Sequence, residues 1–332
     1  MTALDDRPAP EAGAAPGTDA GSPSAGRARP LVPARLAGVL RGLRGPARPA
    51  RPATKPDERT AVASSALTML ALVCLWTAAQ LLFLGSLSHE RAQELLYRDL
   101  RTQIASATAP VGPVVPVGDP VALLRIPSLG VEEVVVEGTA SGDTLDGPGH
   151  RRDTVLPGQV GTSVVYGRAA TYGGPFGDLP DLRVGDAVEV TGAQGAVTFS
   201  VLGVRRGGDP LPAPAKEGAA RLTLVTAEGE GRFAAVSPGS AVYVDAEARE
   251  GFPAPPGRPA AVPESEKAMA ADDGAVPLLA LHLALLVALV LAVVAARQRW
   301  STVLVWVVAT PLALALSWAT TDVAVRLLPN VL

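Results

Sequence analysis

Two long apolar runs near the end of the chain constrain its fold more than any other feature. Residues 275–296 and 300–319 are predominantly apolar, and only three residues separate them: Arg297, Gln298 and Arg299. Each run has the ~20 residues that a helix needs to cross a hydrocarbon core of ~30 Å. A buried hairpin in a soluble protein is the alternative, but a domain of this size seldom contains two such runs side by side. We therefore predict two membrane-spanning helices that form a hairpin.

A third apolar run, residues 61–85, precedes the middle of the chain. Its polar residues are Ser, Thr and Gln80, and it is also long enough to span a bilayer. It follows a 60-residue head and continues into a polar sequence, which fits an uncleaved signal-anchor better than a cleavable signal peptide. Cys74, the single cysteine, lies in this run, so the middle of the chain has no disulfide and no thiolate.

Basic residues predict the orientation of these spans, because Lys and Arg are retained on the cytoplasmic side. Nine of them lie between positions 27 and 59: Arg27, Arg29, Arg35, Arg41, Arg44, Arg48, Arg51, Lys55 and Arg59. The N-terminus is then cytoplasmic, and residues 88–274 are extracytoplasmic. The hairpin turn with Arg297 and Arg299 returns to the cytoplasmic side, so both basic clusters agree with one topology. The predicted location is the cell membrane, with several passes.

The segments outside the spans divide into a head, a stalk and two linkers. Residues 1–59 are rich in Pro, Ala, Gly and Arg without apolar periodicity, which predicts a disordered basic tail. Within it, residues 34–44 could form a short basic helix on lipid, but Gly38 and Gly42 weaken it, and a plain solvated topology signal is the favoured interpretation. Residues 88–120 are predicted to form a helical stalk followed by an extended linker. Residues 251–274 are predicted to be a Pro/Ala tether without core residues.

The middle of the chain, residues 121–248, has the pattern of a small all-β domain. Short apolar runs alternate with Gly, Pro and Asp breaks, and no long amphipathic helix interrupts them. A net charge of −3 and a pI near 5.7 exclude a basic nucleic-acid-binding face. The eight predicted strands are VALLRIP, VEEVVVEG, TSVVYG, DAVEVTG, VTFSVLGVRR, RLTLVTA, RFAAVSP and AVYVDAE. This pattern favours a sandwich or a closed barrel.

Several sequence blocks in this domain resemble the sortase family, and most closely the housekeeping-type sortases of actinobacteria, of class E or F. The blocks are IPSLGV, TLDGPGH, PGQVGTSVVYGR, TYGGPFGDLPDLRVGD, LTLVT and RFAAV, in this order. The resemblance spans about residues 121–246. It implies an eight-stranded sortase β-barrel, flanked here by one N-terminal and two C-terminal transmembrane helices.

The resemblance also assigns three active-site positions, and two of them hold other residues. Sortases have a cysteine at the end of the LTLVT strand, a histidine after the VVxG strand and an arginine on the next strand. Here these positions correspond to Ala227, Arg168 and Arg232. An alanine cannot form a covalent intermediate, and a guanidinium does not release a proton near neutral pH. The sequence therefore predicts a degenerate sortase site with no catalytic residues, no metal and no cofactor.

Other residues of the domain are poor substitutes for the missing groups. Thr226 adjoins the cysteine position, but successive residues of a strand face opposite sides. His150 is predicted to be a turn residue with a local hydrogen bond. His89 belongs to the stalk, and His282 lies inside a predicted span. A transpeptidase or hydrolase with a relocated nucleophile remains an alternative.

Two arginines at the former catalytic positions suggest a binding role. Arg168 and Arg232 would face a groove that holds an extended peptide in active relatives, and Arg binds carboxylates bidentately. Tyr166 is a further candidate ligand-binding residue, because its ring could stack on a ligand. The alternative is that both arginines are solvated or pair with Asp178, Glu228 or Glu230.

These observations predict a membrane-anchored, non-catalytic binding or scaffolding module of the cell envelope. Its expected partners are the membrane and a surface or cell-wall protein or peptide, and an active sortase is a further candidate. No nucleic-acid partner is expected. A third hypothesis is a structural subunit of a membrane complex that uses the C-terminal hairpin as its main binding element.

Overall fold

The computed structural model describes residues 71, 75–76, 78–229 and 239–332, except for the side chains of residues 81, 82 and 302. Several predicted features therefore lie outside the described residues. They are the basic tail 1–59, most of the apolar run 61–85, Cys74, Glu230, Arg232 and the RFAAVSP strand.

Eight strands form one closed β-barrel, as the resemblance implied. Around the barrel the order is β1-β2-β3-β4-β7-β8-β6-β5. The strands are β1 (Pro120–Ile126), β2 (Val131–Glu137), β3 (Gly149–His150), β4 (Gly161–Tyr166), β5 (Ala187–Gly192), β6 (Gly195–Arg206), β7 (Ala220–Glu228) and β8 (Ser240–Ala248). Most neighbours are antiparallel, but β2 with β3 and β4 with β7 are parallel pairs.

Alternation along the strands explains how the barrel closes around its core. Leu222 and Leu224 of β7 lie in the main apolar cluster, together with Val165 of β4 and Val244 of β8. Successive side chains of a strand point to opposite faces, so the residues between them lie on the outer face. The core consists mainly of Val, Leu and Ala, and Phe176 and Phe199 fill its larger spaces.

Seven of the eight observed strands match predicted strands, and β3 is the exception. The observed β3 has only two residues, Gly149 and His150, and its sequence has no strand pattern. It exists because it pairs with β2 on one side and β4 on the other. The predicted RFAAVSP strand lies outside the described residues.

Helix α1 (Gly85–Ala105) follows a π-helical turn at Gln80–Leu84 and packs against the barrel. The His89 ring lies 3.0 Å from a Glu133 carboxylate oxygen on β2. The Gln93 side chain donates to the Val134 carbonyl (3.1 Å) and accepts from the Val134 amide (2.6 Å). The predicted stalk is therefore docked along one strand of the barrel.

Two further helices, α2 (Val276–Arg297) and α3 (Thr302–Val325), follow the barrel. Both are long and apolar enough to cross a membrane. Most of their large apolar side chains are exposed. Helix α3 extends to Val325, beyond the end predicted at residue 319. The amide of Asp272, just before α2, donates to the Arg326 carbonyl just after α3 (2.9 Å). The start of α2 and the end of α3 therefore lie close together.

The segment between the barrel and α2 differs from its prediction. Residues 251–274 were expected to have no core residues, but Val262 and Glu266 are both buried. The Glu266 carboxylate forms a bidentate ion pair with Arg152, and its carbonyl accepts from Thr139 (2.7 Å). This segment is therefore part of the barrel surface rather than a free tether.

Candidate functional site

The outer face of the adjacent strands β4, β7 and β8 carries two of the positions that the sequence assigns to the site, Tyr166 and Ala227. Strands β4 and β7 run parallel, with Tyr166 opposite Val225. On β7 the outward residues are Arg221, Thr223, Val225 and Ala227, because Leu222 and Leu224 point into the core. One face therefore changes from polar at its Arg221 end to apolar at its Ala227 end.

Ala227 lies at the apolar end of this face, opposite Ala241 of β8. Only 5% of its surface is exposed. It belongs to a cluster with Tyr166, Val225, Ala241 and Val331. A methyl group in an apolar cluster offers neither a lone pair nor a proton, so position 227 contributes packing alone.

Arg168 follows β4 and is completely buried. One terminal nitrogen, Nη2, donates to the Ser141 carbonyl (2.7 Å) and to the Ser141 hydroxyl (2.9 Å). The other, Nη1, donates to the Thr171 hydroxyl (2.9 Å), and the guanidinium carbon lies 5.8 Å from the centre of the Tyr172 ring. Burial lowers the pKa of Arg168 from 12.5 to about 10. Arg168 forms no salt bridge with any described residue, and its Nε finds no partner among them.

The expected groove arrangement is present only in part. Tyr166 lines an open groove, whereas Arg168 is enclosed and reaches no solvent. Glu228, one of the expected partners of Arg168, instead receives two hydrogen bonds from Arg206 (2.5 and 2.8 Å). Burial is the main cause of the raised pKa of Tyr166. Arg232 lies outside the described residues.

The open groove, here called the outer groove, has a volume of about 470 Å³. It is lined by Arg151, Thr162, Val164, Tyr166, Arg205, Leu211, Pro212, Arg221, Thr223, Tyr243, Asp245, Lys267 and Ala268. Its lining mixes polar and apolar side chains and includes residues of four strands, β4, β6, β7 and β8.

The cations of the outer groove have carboxylate partners. Arg205 donates to Asp245 (2.6 Å) and lies 4.3 Å from the centre of the Tyr243 ring. Arg221 donates to Glu247 and to the Ala213 carbonyl. The sequence reasoning missed both arginines, although strand alternation places Arg221 on the same face as Ala227. Ion-paired arginines leave little free positive charge for an anion.

Neither Thr226 nor His150 has the geometry of a catalytic group. Thr226 is fully buried on the inner side of β7, as alternation predicts, and its hydroxyl has no partner among the described residues. The His150 Nδ1 lies 2.7 Å from the Glu137 carboxylate, and Nε2 lies 2.8 Å from the Val155 carbonyl. Both ring nitrogens are thus occupied inside the structure, away from the Ala227 cluster.

The described residues contain no group of three or more His, Cys, Asp or Glu side chains that could hold a metal ion. The carboxylates near the groove are instead paired with arginines. Arg205 binds Asp245 and Arg221 binds Glu247.

Comparison with known proteins agrees with the barrel. Residues 124–243 match the family model described as the sortase domain. The chain therefore contains a sortase domain. The match covers most of the barrel and leaves helices α1, α2 and α3 outside it. No curated protein matches the chain.

Several solved sortase structures are similar to the sortase domain. Sortase E from Streptomyces avermitilis is 27% identical and covers 46% of this chain and 100% of its own, with a TM-score of 0.32. Sortase E1 from Streptomyces coelicolor, solved with a tripeptide in its active site, is 23% identical and covers 41% and 91%, with a TM-score of 0.34. A Clostridium perfringens sortase D5 transpeptidase is 18% identical and covers 49% and 99%, with a TM-score of 0.37.

Proposed function

We propose that this sortase domain, of the class E or F type, is a non-catalytic module that binds an extended peptide of another envelope component. The observation that carries this proposal is the side chain at position 227, a methyl group buried among apolar side chains. The resemblance assigns the catalytic cysteine to this position. Sortase chemistry, as the family implies it, begins with attack of a thiolate on a peptide carbonyl, and a methyl group cannot attack.

The group at the histidine position supports the same proposal. A pKa of about 10 leaves roughly one Arg168 in a thousand deprotonated at pH 7, so it is a cation without useful acid–base capacity. Its three hydrogen bonds all go to loop residues of the same domain, Ser141 and Thr171. In the folded protein Arg168 therefore acts as a structural donor that joins two loops beside Ala227.

The proposed location is the cell membrane, with the sortase domain outside and the N-terminus in the cytoplasm. The nine basic residues of the head and the Arg297/Arg299 turn support this topology through retention of positive charge. The hydrogen bond between Asp272 and Arg326 is consistent with it, because it brings the start of α2 and the end of α3 together beside the barrel.

The direct test uses the full chain in detergent with a labelled LPxTG-type peptide and an amine acceptor. We expect saturable binding, measured by fluorescence anisotropy, without cleavage or transfer in mass spectrometry. A rate of cleavage or transfer that changes in Ala227→Ser or Arg168→Ala would refute the proposal. The proposal would also be wrong if none of the envelope peptides tested bound to the protein.

A relocated nucleophile is the competing enzymatic proposal, and Thr223 is its best-placed candidate. The Thr223 hydroxyl lines the outer groove and donates to the Asp245 carboxylate (2.7 Å). However, Arg205 donates to the same carboxylate, and an ion-paired carboxylate is a weak base. A hydroxyl-directed covalent probe that labels the protein but not the Thr223→Val variant would establish Thr223 as the nucleophile of such an enzyme.

The third proposal, a structural subunit that uses the hairpin, is supported by the exposed apolar surfaces of α2 and α3. Deleting residues 275–332 and comparing partners in pull-downs separates it from peptide binding. The deletion also removes residues 326–332, which pack on the barrel. A full-length Val331→Asp variant is therefore the matched control, because it changes that contact and leaves the hairpin intact.

A further inference from the structure

The tail segment, residues 326–332, returns from α3 to the sortase domain and is buried there. Asn330, Val331 and Leu332 are 0%, 0% and 2% exposed. Such burial is unusual for the residues after a helix, which normally lie on the surface. The tail segment therefore occupies a shaped site rather than lying loosely on the barrel.

Asn330 is held by polar contacts with two separate segments of the chain, residues 139–144 and 267–270. Its side-chain amide donates to the carbonyls of Thr139 (2.6 Å) and Lys267 (2.9 Å). Its main-chain amide donates to the Ala270 carbonyl (2.9 Å), and its carbonyl accepts from the Thr144 hydroxyl (2.8 Å). Four hydrogen bonds to one residue fix both the position and the direction of the tail segment.

The last two residues pair with the loop that follows Arg168. The Val331 carbonyl accepts from the Ala169 amide (3.0 Å). The Leu332 carbonyl accepts from the amides of Ala170 and Thr171, each at 3.0 Å, and from the Thr171 hydroxyl, also at 3.0 Å. Three successive main-chain amides of this loop, those of Ala169, Ala170 and Thr171, therefore hold the last two carbonyls of the tail segment.

The tail segment covers both positions that the resemblance assigns to the catalytic pair. The Val331 side chain packs in the apolar cluster that contains Ala227 and Tyr166. Ser141 connects the tail segment with Arg168, because its hydroxyl donates to the Leu328 carbonyl (2.9 Å) and accepts from Arg168. Tyr166 belongs to this cluster and Ala268 packs against it. Both residues also line the outer groove, so the tail site and the outer groove are continuous.

We propose that the tail segment is an intramolecular peptide ligand, and that an external peptide must displace it to bind at Ala227. The inference rests on the proposed peptide-binding function. The tail is turned here, since the Leu332 amide donates to the Pro329 carbonyl (3.1 Å). The site therefore takes a turned peptide with a small amide side chain followed by a β-branched apolar residue, as Asn330 and Val331 are. The tail reads Leu-Pro-Asn-Val, which shares its Leu-Pro start with the LPxTG-type probe.

The test measures access to position 227 in the full chain. A Cys74→Ser background removes the native thiol, and Ala227→Cys supplies a reporter for maleimide labelling. We expect slow labelling with the native tail segment and a rate at least ~10-fold higher when Val331→Asp is added, which corresponds to ~1.4 kcal/mol of lost tail binding. Labelling of Ala227→Cys with the native tail as fast as that of an exposed cysteine would overturn the proposal.

Two matched cysteines separate release of the tail from unfolding. Ser200→Cys lies on the exposed side of β6, and its labelling should be fast with either tail. Val188→Cys lies in the barrel core, and its labelling should stay slow in the Val331→Asp variant. A parallel rise at Val188→Cys would show that Val331→Asp unfolds the barrel. Asn330→Ala then serves as the second tail variant, and an unchanged rate at Ala227→Cys in it would overturn the proposal.

A synthetic peptide with the sequence of residues 326–332 tests binding in trans. Added to the released Val331→Asp variant, it should slow labelling of Ala227→Cys, whereas the same peptide with Asn330→Ala and Val331→Asp should not. Equal effects of the two peptides, or no effect of either, would show that the tail is only a packing element. If the tail peptide binds but no envelope peptide does, the proposed function fails and the tail inference stands.

Discussion

Replacing Arg168 with methionine tests how the barrel accommodates a buried cation. The guanidinium is fully buried and forms no salt bridge with any described residue. Its pKa falls from 12.5 to about 10, which corresponds to roughly 3 kcal/mol at ~1.36 kcal/mol per pH unit. Both pKa values lie above pH 7, so the whole cost of burying the charge is present at neutral pH.

The hydrogen bonds of Arg168 offset this cost. In Arg168→Met the Ser141 carbonyl loses its donor, and an unsatisfied buried group costs ~1–3 kcal/mol. The hydroxyls of Ser141 and Thr171 keep their bonds to the Leu328 and Leu332 carbonyls. Removing the buried charge should stabilise the fold, and leaving the Ser141 carbonyl without a donor should destabilise it by a similar amount. We therefore expect Arg168→Met to change the free energy of unfolding by less than ~2 kcal/mol.

The Val188→Cys reporter provides the assay, because its labelling rate at low reagent concentration measures the free energy of barrel opening. The four tryptophans lie at positions 76, 300, 306 and 318, outside the barrel, so their fluorescence would not report on it. Arg221→Met is the matched control, since it leaves the partly buried Glu247 without its partner and should destabilise by ~1–3 kcal/mol. A loss of ~3–5 kcal/mol in Arg168→Met would refute the reasoning, because breaking a compensated buried ion pair has that magnitude.

Three further predictions use the same reporter. Burial raises the pKa of Asp143 to about 6. The stability that its protonated form contributes is therefore present below pH ~4 and lost as the pH rises through about 6. Asp143→Asn should remove this pH dependence of the free energy of unfolding. Burial opposes the charge on His89, but Glu133, the Leu145 carbonyl and Asp146 together outweigh it and raise the pKa. This contribution to stability is therefore present below pH 6.5 and lost as the pH rises through the folded pKa. His89→Gln should flatten the profile in that range, and an unchanged profile would contradict the role of Glu133. Thr226→Val should leave the free energy of unfolding unchanged or raise it by up to ~1 kcal/mol, because it removes a buried hydroxyl without a partner among the described residues. A decrease of more than ~1 kcal/mol would contradict this and indicate that the hydroxyl forms a hydrogen bond.

Most barrel strands were predictable because their apolar residues recur with period two between turn residues. Strand β7 is an example: its alternation correctly placed Thr226 and Ala227 on opposite faces. Strand β3 could not be predicted, since two residues carry no periodicity and its pairing depends on β2 and β4. The burial of Val262 and Glu266 was missed because a Pro/Ala-rich composition does not reveal an ion pair with a residue as distant as Arg152.

The sequence alone determined that three apolar runs flank a β domain and that position 227 carries no reactive atom, because both depend on residue type and local order. Only the tertiary structure decided what surrounds that position. Arg168 was expected to face an open groove, but it is enclosed beside a tail whose last residue is 161 positions from Thr171. Burial of a charge is set by contacts between distant segments, and local sequence patterns do not record which segments meet.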